Sequence, residues 1–141
     1  MMKYMIMMYG SQRDYDVLTG QEGATPAWEE KDVAALHEFM AAWNNALVES
    51  GEFVEGHALT APVHARRIGV RDGAPVVTDG PYAETQEVLA GFTIVECASF
   101  DRATEIAARL ADTPHPPDAD LGRDWYVDVR PVAGGAGDYD L

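Results

Sequence analysis

Val76-Val77-Thr78-Asp79-Gly80-Pro81-Tyr82-Ala83-Glu84-Thr85 runs from apolar residues into two acids, two chain-bending residues and a phenol. Pro81 holds Gly80 out of the helical region, so the chain leaves a strand extended and then bends, and Gly80 lets backbone come close to whatever lies beside it. Asp79 is thereby set at a strand end, with Tyr82 and Glu84 on the loop beyond. One use is structural: Asp79 accepts backbone N–H bonds and holds the turn. The other is chemical: the turn walls a pocket in which Asp79 acts and Gly80, Pro81, Tyr82 and Glu84 bind a substrate. A turn needs no phenol, and the pocket is the expectation. The following Glu84-Thr85-Gln86-Glu87 has the composition of a short capped helix, with Thr85 as its cap.

His37 is the second candidate. At about 100° per residue it lies about 80° from the middle of the apolar stripe of its helix, at the border between core and solvent. An imidazole there can hydrogen-bond, and a carboxylate such as Asp79 would orient it for proton transfer. A lone helical histidine is, however, commonly structural. His57, His64 and His115 follow at successive intervals of 20, 7 and 51 residues, which is no metal-ligand spacing, so no metal is expected. The chain has no Gly-rich phosphate loop, no nucleophile elbow and no dinucleotide fingerprint, and no cofactor is expected.

The elements that must carry these residues follow from periodicity. Lys3 to Tyr9 is apolar on both parities, as in a strand covered on both faces. Gly10 to Gly23 reads as a polar loop. Thr25 and Pro26 then open a helix whose stripe is Val33, Leu36, Met40, Trp43 and Leu47, closing at Gly51. Glu52 to Leu59 reads as a strand. Ala65–Arg71 and Pro75–Asp79 form a hairpin on Asp72-Gly73. Gly91–Cys97 is a central strand, Asp101 caps a second helix buried through Ala103, Ile106, Ala107 and Leu110, and Trp125–Val132 is the last strand. The result is a single domain over residues 1–132 of α+β class, with two helices on one face of a mostly antiparallel sheet. The tail, 133–141, has nothing to bury and is expected to be flexible. Strands apolar on both sides need a second cover, and a second copy of the chain supplies it, making a homodimer.

Composition narrows the partners. The 141 residues carry 24 acidic against 10 basic side chains, a net charge of −14. Such a field repels phosphate backbones and anionic lipid, so neither nucleic acid nor membrane is an expected partner. No apolar run has the length of a membrane span. Cys97 is the only cysteine, so no intrachain disulfide forms, and within an apolar run it reads as a small core residue suited to a reducing cytoplasm.

Taken in order, Met2-Lys3-Tyr4-Met5, the helix with His37 and Phe39, Arg71-Asp72-Gly73, Val77 to Thr85, Gly91-Phe92 and Val127 to Val132 resemble the YCII-related family. Within it the chain is similar to the group named for an Asp-Gly-Pro-Phe (DGPF) motif. The resemblance implies a ferredoxin-like α+β fold that dimerises as an α+β barrel. It also implies a cleft lined by Asp79 and a His–Asp pair matching His37 and Asp79. Tyr82 stands where the motif has Phe, and Gln86 where a lysine is usual; residues 113–124 look longer than the usual connection and suggest a lid. Two functions follow from the resemblance and the residues together. One is a cofactor-independent enzyme that eliminates, isomerises or hydrolyses a small molecule through Asp79 and His37. The other is a non-catalytic regulatory or interaction module with a protein partner, linked to sigma-factor-dependent transcription control.

Overall fold

A computed structural model describes residues 1–21, 28–116 and 124–134. Strand β1 (Met2–Gly10) leads into helix α1 (Gln12–Leu18), then α2 (Glu30–Ser50) and β2 (Phe53–Ala58). A 3₁₀ turn at Pro62–His64 precedes β3 (Arg66–Arg71) and β4 (Ala74–Asp79); β5 (Val88–Cys97), α3 (Phe100–Ala108) and β6 (Asp128–Pro131) complete the chain. The main sheet has the order β2-β5-β1-β6 with every neighbouring pair antiparallel. With α1 and the β3–β4 hairpin set aside, the path is β-α-β-β-α-β with the first and third strands central, which is the ferredoxin-like arrangement.

One face of that sheet carries the core. Tyr4 and Ile6 of β1 and Val95 and Cys97 of β5 are buried against Trp43 and Leu47 of α2 and Ala103, Ile106 and Ala107 of α3. Strand alternation puts Met5 and Met7, paired across to Ile94 and Phe92, on the opposite face, where they are only half-buried. Cys97 is a core residue as expected, and burial raises its thiol pKa. No helix among the described residues is long and apolar enough to cross a membrane.

Local chemistry explains the boundaries, and several differ from expectation. The segment read as loop after Gly10 contains α1. Ser11 caps it by accepting from the Asp14 N–H, while the Asp14 carboxylate accepts from the Ser11 N–H, a reciprocal box on a helix too short to show an apolar stripe. The long helix begins at Glu30, where Glu29 and Asp32 form the capping box; the expected cap Thr25 and first-turn Pro26 lie outside the described residues. It ends as expected at Gly51, in the left-handed region with φ 79°. Ser99, not Asp101, caps α3, because its side chain reaches the Arg102 N–H while Asp101 sits within the first turn. The helix expected after Thr85 is a turn, closed by the Gln86 N–H donating to the Ala83 carbonyl. The last strand is shorter than read, since Trp125 to Val127 alternate in sequence but do not pair with β1. Most of the expected lid, and the tail from residue 135, lie outside the described residues.

The hairpin stands apart from the main sheet. β3 and β4 pair only with each other, over the Asp72-Gly73 turn with φ of 51° and 77°. That is the pair of left-handed residues a two-residue hairpin turn demands.

Candidate functional site

The Asp79 turn begins where β4 ends. Gly80 has φ 51°, its N–H donates to the Ala65 carbonyl at 2.8 Å, and a Cβ placed on it would sit 3.3 Å from the Val63 carbonyl oxygen. Glycine is therefore required twice, by backbone sign and by space. Gly80→Ala is expected to cost about 1–2 kcal/mol, from the left-handed penalty alone, and urea unfolding of the variant measures it. Pro81 follows, and Tyr82 lies beneath the Arg67 guanidinium, 5.3 Å from the ring centroid. Tyr82 lines a cavity of about 340 Å³ together with His64, Pro62 and Leu59.

Helix α1, absent from the sequence reading, fastens the far wall of this cavity. Gln12 Oε1 accepts from the Val63 N–H at 2.9 Å, and the Tyr15 hydroxyl donates to the Leu59 carbonyl at 2.8 Å. The Glu84 carbonyl accepts from the Arg13 N–H at 3.0 Å, so the backbone of Glu84 ties the loop to α1, while its carboxylate has no partner among the described residues. The signal that could have revealed this helix is the spacing of Ser11 and Asp14.

Asp79 is placed differently from the expectation of an Asp–His pair. Its Oδ1 accepts from Arg66 Nε at 2.9 Å, and both side chains are exposed. No hydrogen bond joins it to His37 within the protomer among the described residues. His37, expected at the border between core and solvent, is exposed on α2 and lines a second cavity of about 410 Å³ between α2 and the β2–β5 edge. The two cavities share no lining residue, although Ala58 lines one and the next residue, Leu59, the other.

The walls of the second cavity are mainly apolar, from Leu36 and Met40 of α2 and Phe53 of β2, and its polar groups are His37, His57 and Thr93. Leu36 and Met40 belong to the predicted core stripe of α2 but are only half-buried, since both line this cavity, while Met40 also packs against the core. Thr93 is 3% exposed, and its hydroxyl has no hydrogen-bond partner among the described residues. The residue paired with it across the ladder is Gly56, whose added Cβ would meet Thr93 Oγ1 at 3.1 Å and the Phe53 ring at 3.4 Å. Glycine at 56 thus leaves room over the hydroxyl. An unpaired buried hydroxyl costs roughly 1–3 kcal/mol, so it is retained at the expense of stability.

An imidazole–carboxylate pair does exist on β2, between residues the sequence reading did not combine. His57 Nε2 lies 3.1 Å from Glu55 Oε2, and its ring is 5.5 Å from that of Phe92. Positions 55 and 57 of one strand share a face, which is the spacing that could have flagged them. Register pairs Glu55 with Ile94 and His57 with Phe92, so both side chains lie on the sheet face opposite Thr93 and can orient one another there.

Two comparisons bear on these residues. A family profile described as YCII-related domain matches residues 2–113, from β1 to the end of the 3₁₀ segment after α3. The chain is also 32% identical over 91 residues to a protein of Rhizobium meliloti described as uncharacterized, the match covering 64% of this chain and 73% of that one.

Proposed function

The chain belongs to the YCII-related family, and from that premise we propose that it is a small-molecule-binding protein whose ligand occupies the cavity between α2 and the β2–β5 edge. The observation that carries this reading is Thr93: a buried hydroxyl without a partner among the described residues, set in a mainly apolar cavity, is a group waiting for a hydrogen bond from a guest. The ligand class is a mostly apolar molecule with one polar group deep enough to reach Thr93 and a second polar end near His37. Binding, rather than catalysis by an Asp79–His37 pair, is what the arrangement supports, since Asp79 is ion-paired with Arg66.

Thr93→Val separates this reading from a purely structural role. The valine keeps the shape and removes the orphan hydroxyl, so the ligand-free variant is expected to be about 1 kcal/mol more stable, while ligand affinity falls about tenfold. Benzoate, hexanoate and cyclohexanol serve as probes, followed by NMR shifts of the Thr93 amide and the His37 and His57 rings. Saturable shifts in the wild type that weaken in Thr93→Val support the site. Their absence, or binding undiminished by the valine, removes it.

A second reading, a regulatory or interaction module linked to sigma-factor-dependent transcription control, draws on the engagement of Asp79 by an arginine instead of an imidazole. With a net charge of −14 its partner would be a basic protein surface. Affinity for such a partner that is strongly salt-sensitive and indifferent to Thr93→Val favours this reading over the first.

A further inference from the structure

The core-facing side of the sheet is nearly bare beneath Leu36 and Met40. Pairing sets Gly56 opposite Thr93 and Ala58 opposite Gly91, and alternation turns all four to the same side as the buried Val95 and Cys97. A floor of two glycines, an alanine and a threonine leaves the gap of about 410 Å³ under α2. Protein interiors are close-packed, so an apolar gap of this size forfeits contacts that a guest would restore.

A third cavity, of about 280 Å³, lies next to it, and the two share Met8, Leu36 and Met40 as walls. Those side chains are the partition between them. Two of the three are methionines, unbranched side chains that change rotamer readily. Met8 lies across Gly91, its Cε 3.9 Å from where a Cβ there would stand, so no side chain on that residue holds it in place. Beyond the partition the walls include Leu110, Trp125 and Val127. The polar demands of the two chambers differ. In the larger, the Thr93 hydroxyl is buried without a partner among the described residues, and exposed His37 borders it. In the smaller, the Thr113 hydroxyl donates to the Leu110 carbonyl, the Tyr9 hydroxyl to Asp128 and the Tyr126 hydroxyl to Glu87, so the hydroxyls on its walls are already engaged.

We propose that the two cavities are one binding trough whose ligand is an unbranched alkyl or acyl chain with its polar groups at one end. The neutral head lies between Thr93 and His37, and the chain passes the methionines to end against Leu110, Trp125 and Val127. This inference rests on the reading of the larger cavity as a ligand site and names the class of ligand it takes. A chain one methylene wide passes when Met8 and Met40 rotate, whereas a fused ring system needs the whole partition cleared, Leu36 and its helix included. The head is neutral because a net charge of −14 repels an anion, and no carboxylate lines either cavity to hold a cation.

Titration with the straight-chain alcohols hexanol, octanol and decanol tests the trough. NMR shifts of the Thr93 amide report on the larger cavity, and those of the Val127 amide and the Trp125 indole N–H on the smaller. Hexanol should move Thr93 alone. Decanol should move all three and bind about 100-fold tighter, roughly tenfold for every two methylenes buried. Decanol that moves Thr93 but neither Val127 nor Trp125, or that binds no tighter than hexanol, overturns the trough and leaves the larger cavity as the whole site. No saturable Thr93 shift with any of the three removes that site, and the trough with it. Naphthol that moves Trp125 as far as decanol does overturns the choice of a chain. Val127→Phe fills the smaller cavity and should abolish decanol's advantage over hexanol; an advantage that survives in the folded variant overturns the proposal. Should circular dichroism show that variant unfolded, the wild-type series decides by itself.

Discussion

Trp43→Ala is expected to remove most of the stability of this fold. Trp43 is 5% exposed, at the junction of α2, α3 and the sheet, and its Nε1 donates to the Ile106 carbonyl at 3.0 Å. Truncating a buried Trp to Ala costs about 3–5 kcal/mol through lost burial and the cavity left behind. The unpaired carbonyl near the end of α3 adds about 1 kcal/mol. Against a total of about 5–15 kcal/mol for a domain, that loss leaves a marginal protein. Trp43→Phe dissects it: most of the burial returns while the carbonyl stays unpaired, so the loss should shrink to about 1–2 kcal/mol. Urea unfolding midpoints at constant slope measure both. A Trp43→Ala loss below about 1 kcal/mol would show that the α2–α3–sheet junction is not the centre of the core.

The second large effect is at Glu52. It follows the end of α2, and its carboxylate takes a two-pronged bond from Arg102 of α3, with Nε to Oε2 at 2.9 Å and Nη2 to Oε1 at 2.7 Å. Ser50 Oγ donates to the same Oε1 at 2.8 Å. The Arg102 hydrogen bonds first, and the Ser50 bond and the arginine's charge after them, outweigh desolvation and hold the Glu52 carboxyl down at about 2 against 4.5 for a free one. The sign of the linkage follows. A carboxyl whose folded value is depressed contributes stability that is complete above pH 4.5 and is lost as pH falls through 4.5 toward 2. Glu52→Gln replaces one charged acceptor with an amide donor facing the guanidinium, and should cost about 2 kcal/mol at neutral pH. The difference between wild type and variant should narrow as pH is lowered from 5 to 2.5, a window set by those two values. Thermal unfolding at several pH values reads this directly; a pH-independent difference would place the cost in packing rather than in the ion pair.

Much of the frame is legible in the residues alone, for reasons visible element by element. The stripe from Val33 to Leu47 and the glycine at 51 predict α2 and its end because helix period and left-handed capping are local properties. Asp72-Gly73 predicts the hairpin because few other pairs tolerate two left-handed residues in succession. Helix α1 escapes a periodicity reading because seven residues are too few to display a stripe, although its capping box is written in Ser11 and Asp14. Asp79 and His37 were the groups whose chemistry could be read, but not their surroundings. Arg66, 13 residues before Asp79, reaches it only because strand register lays the two opposite each other.

The sequence by itself determined the α+β class, the order of the strands and of the two longer helices, the glycine-bound turns and the acidic field, since each depends on near neighbours or on sums over the chain. Only the tertiary structure decided which polar groups meet. It gave Asp79 to Arg66, set His57 beside Glu55, and left the Thr93 hydroxyl buried beside Gly56 and unpaired among the described residues. The physical reason is that a side chain's partners are chosen by register and helix placement across long stretches of chain. A shift of one residue in register would have turned every one of those side chains to the other face of the sheet.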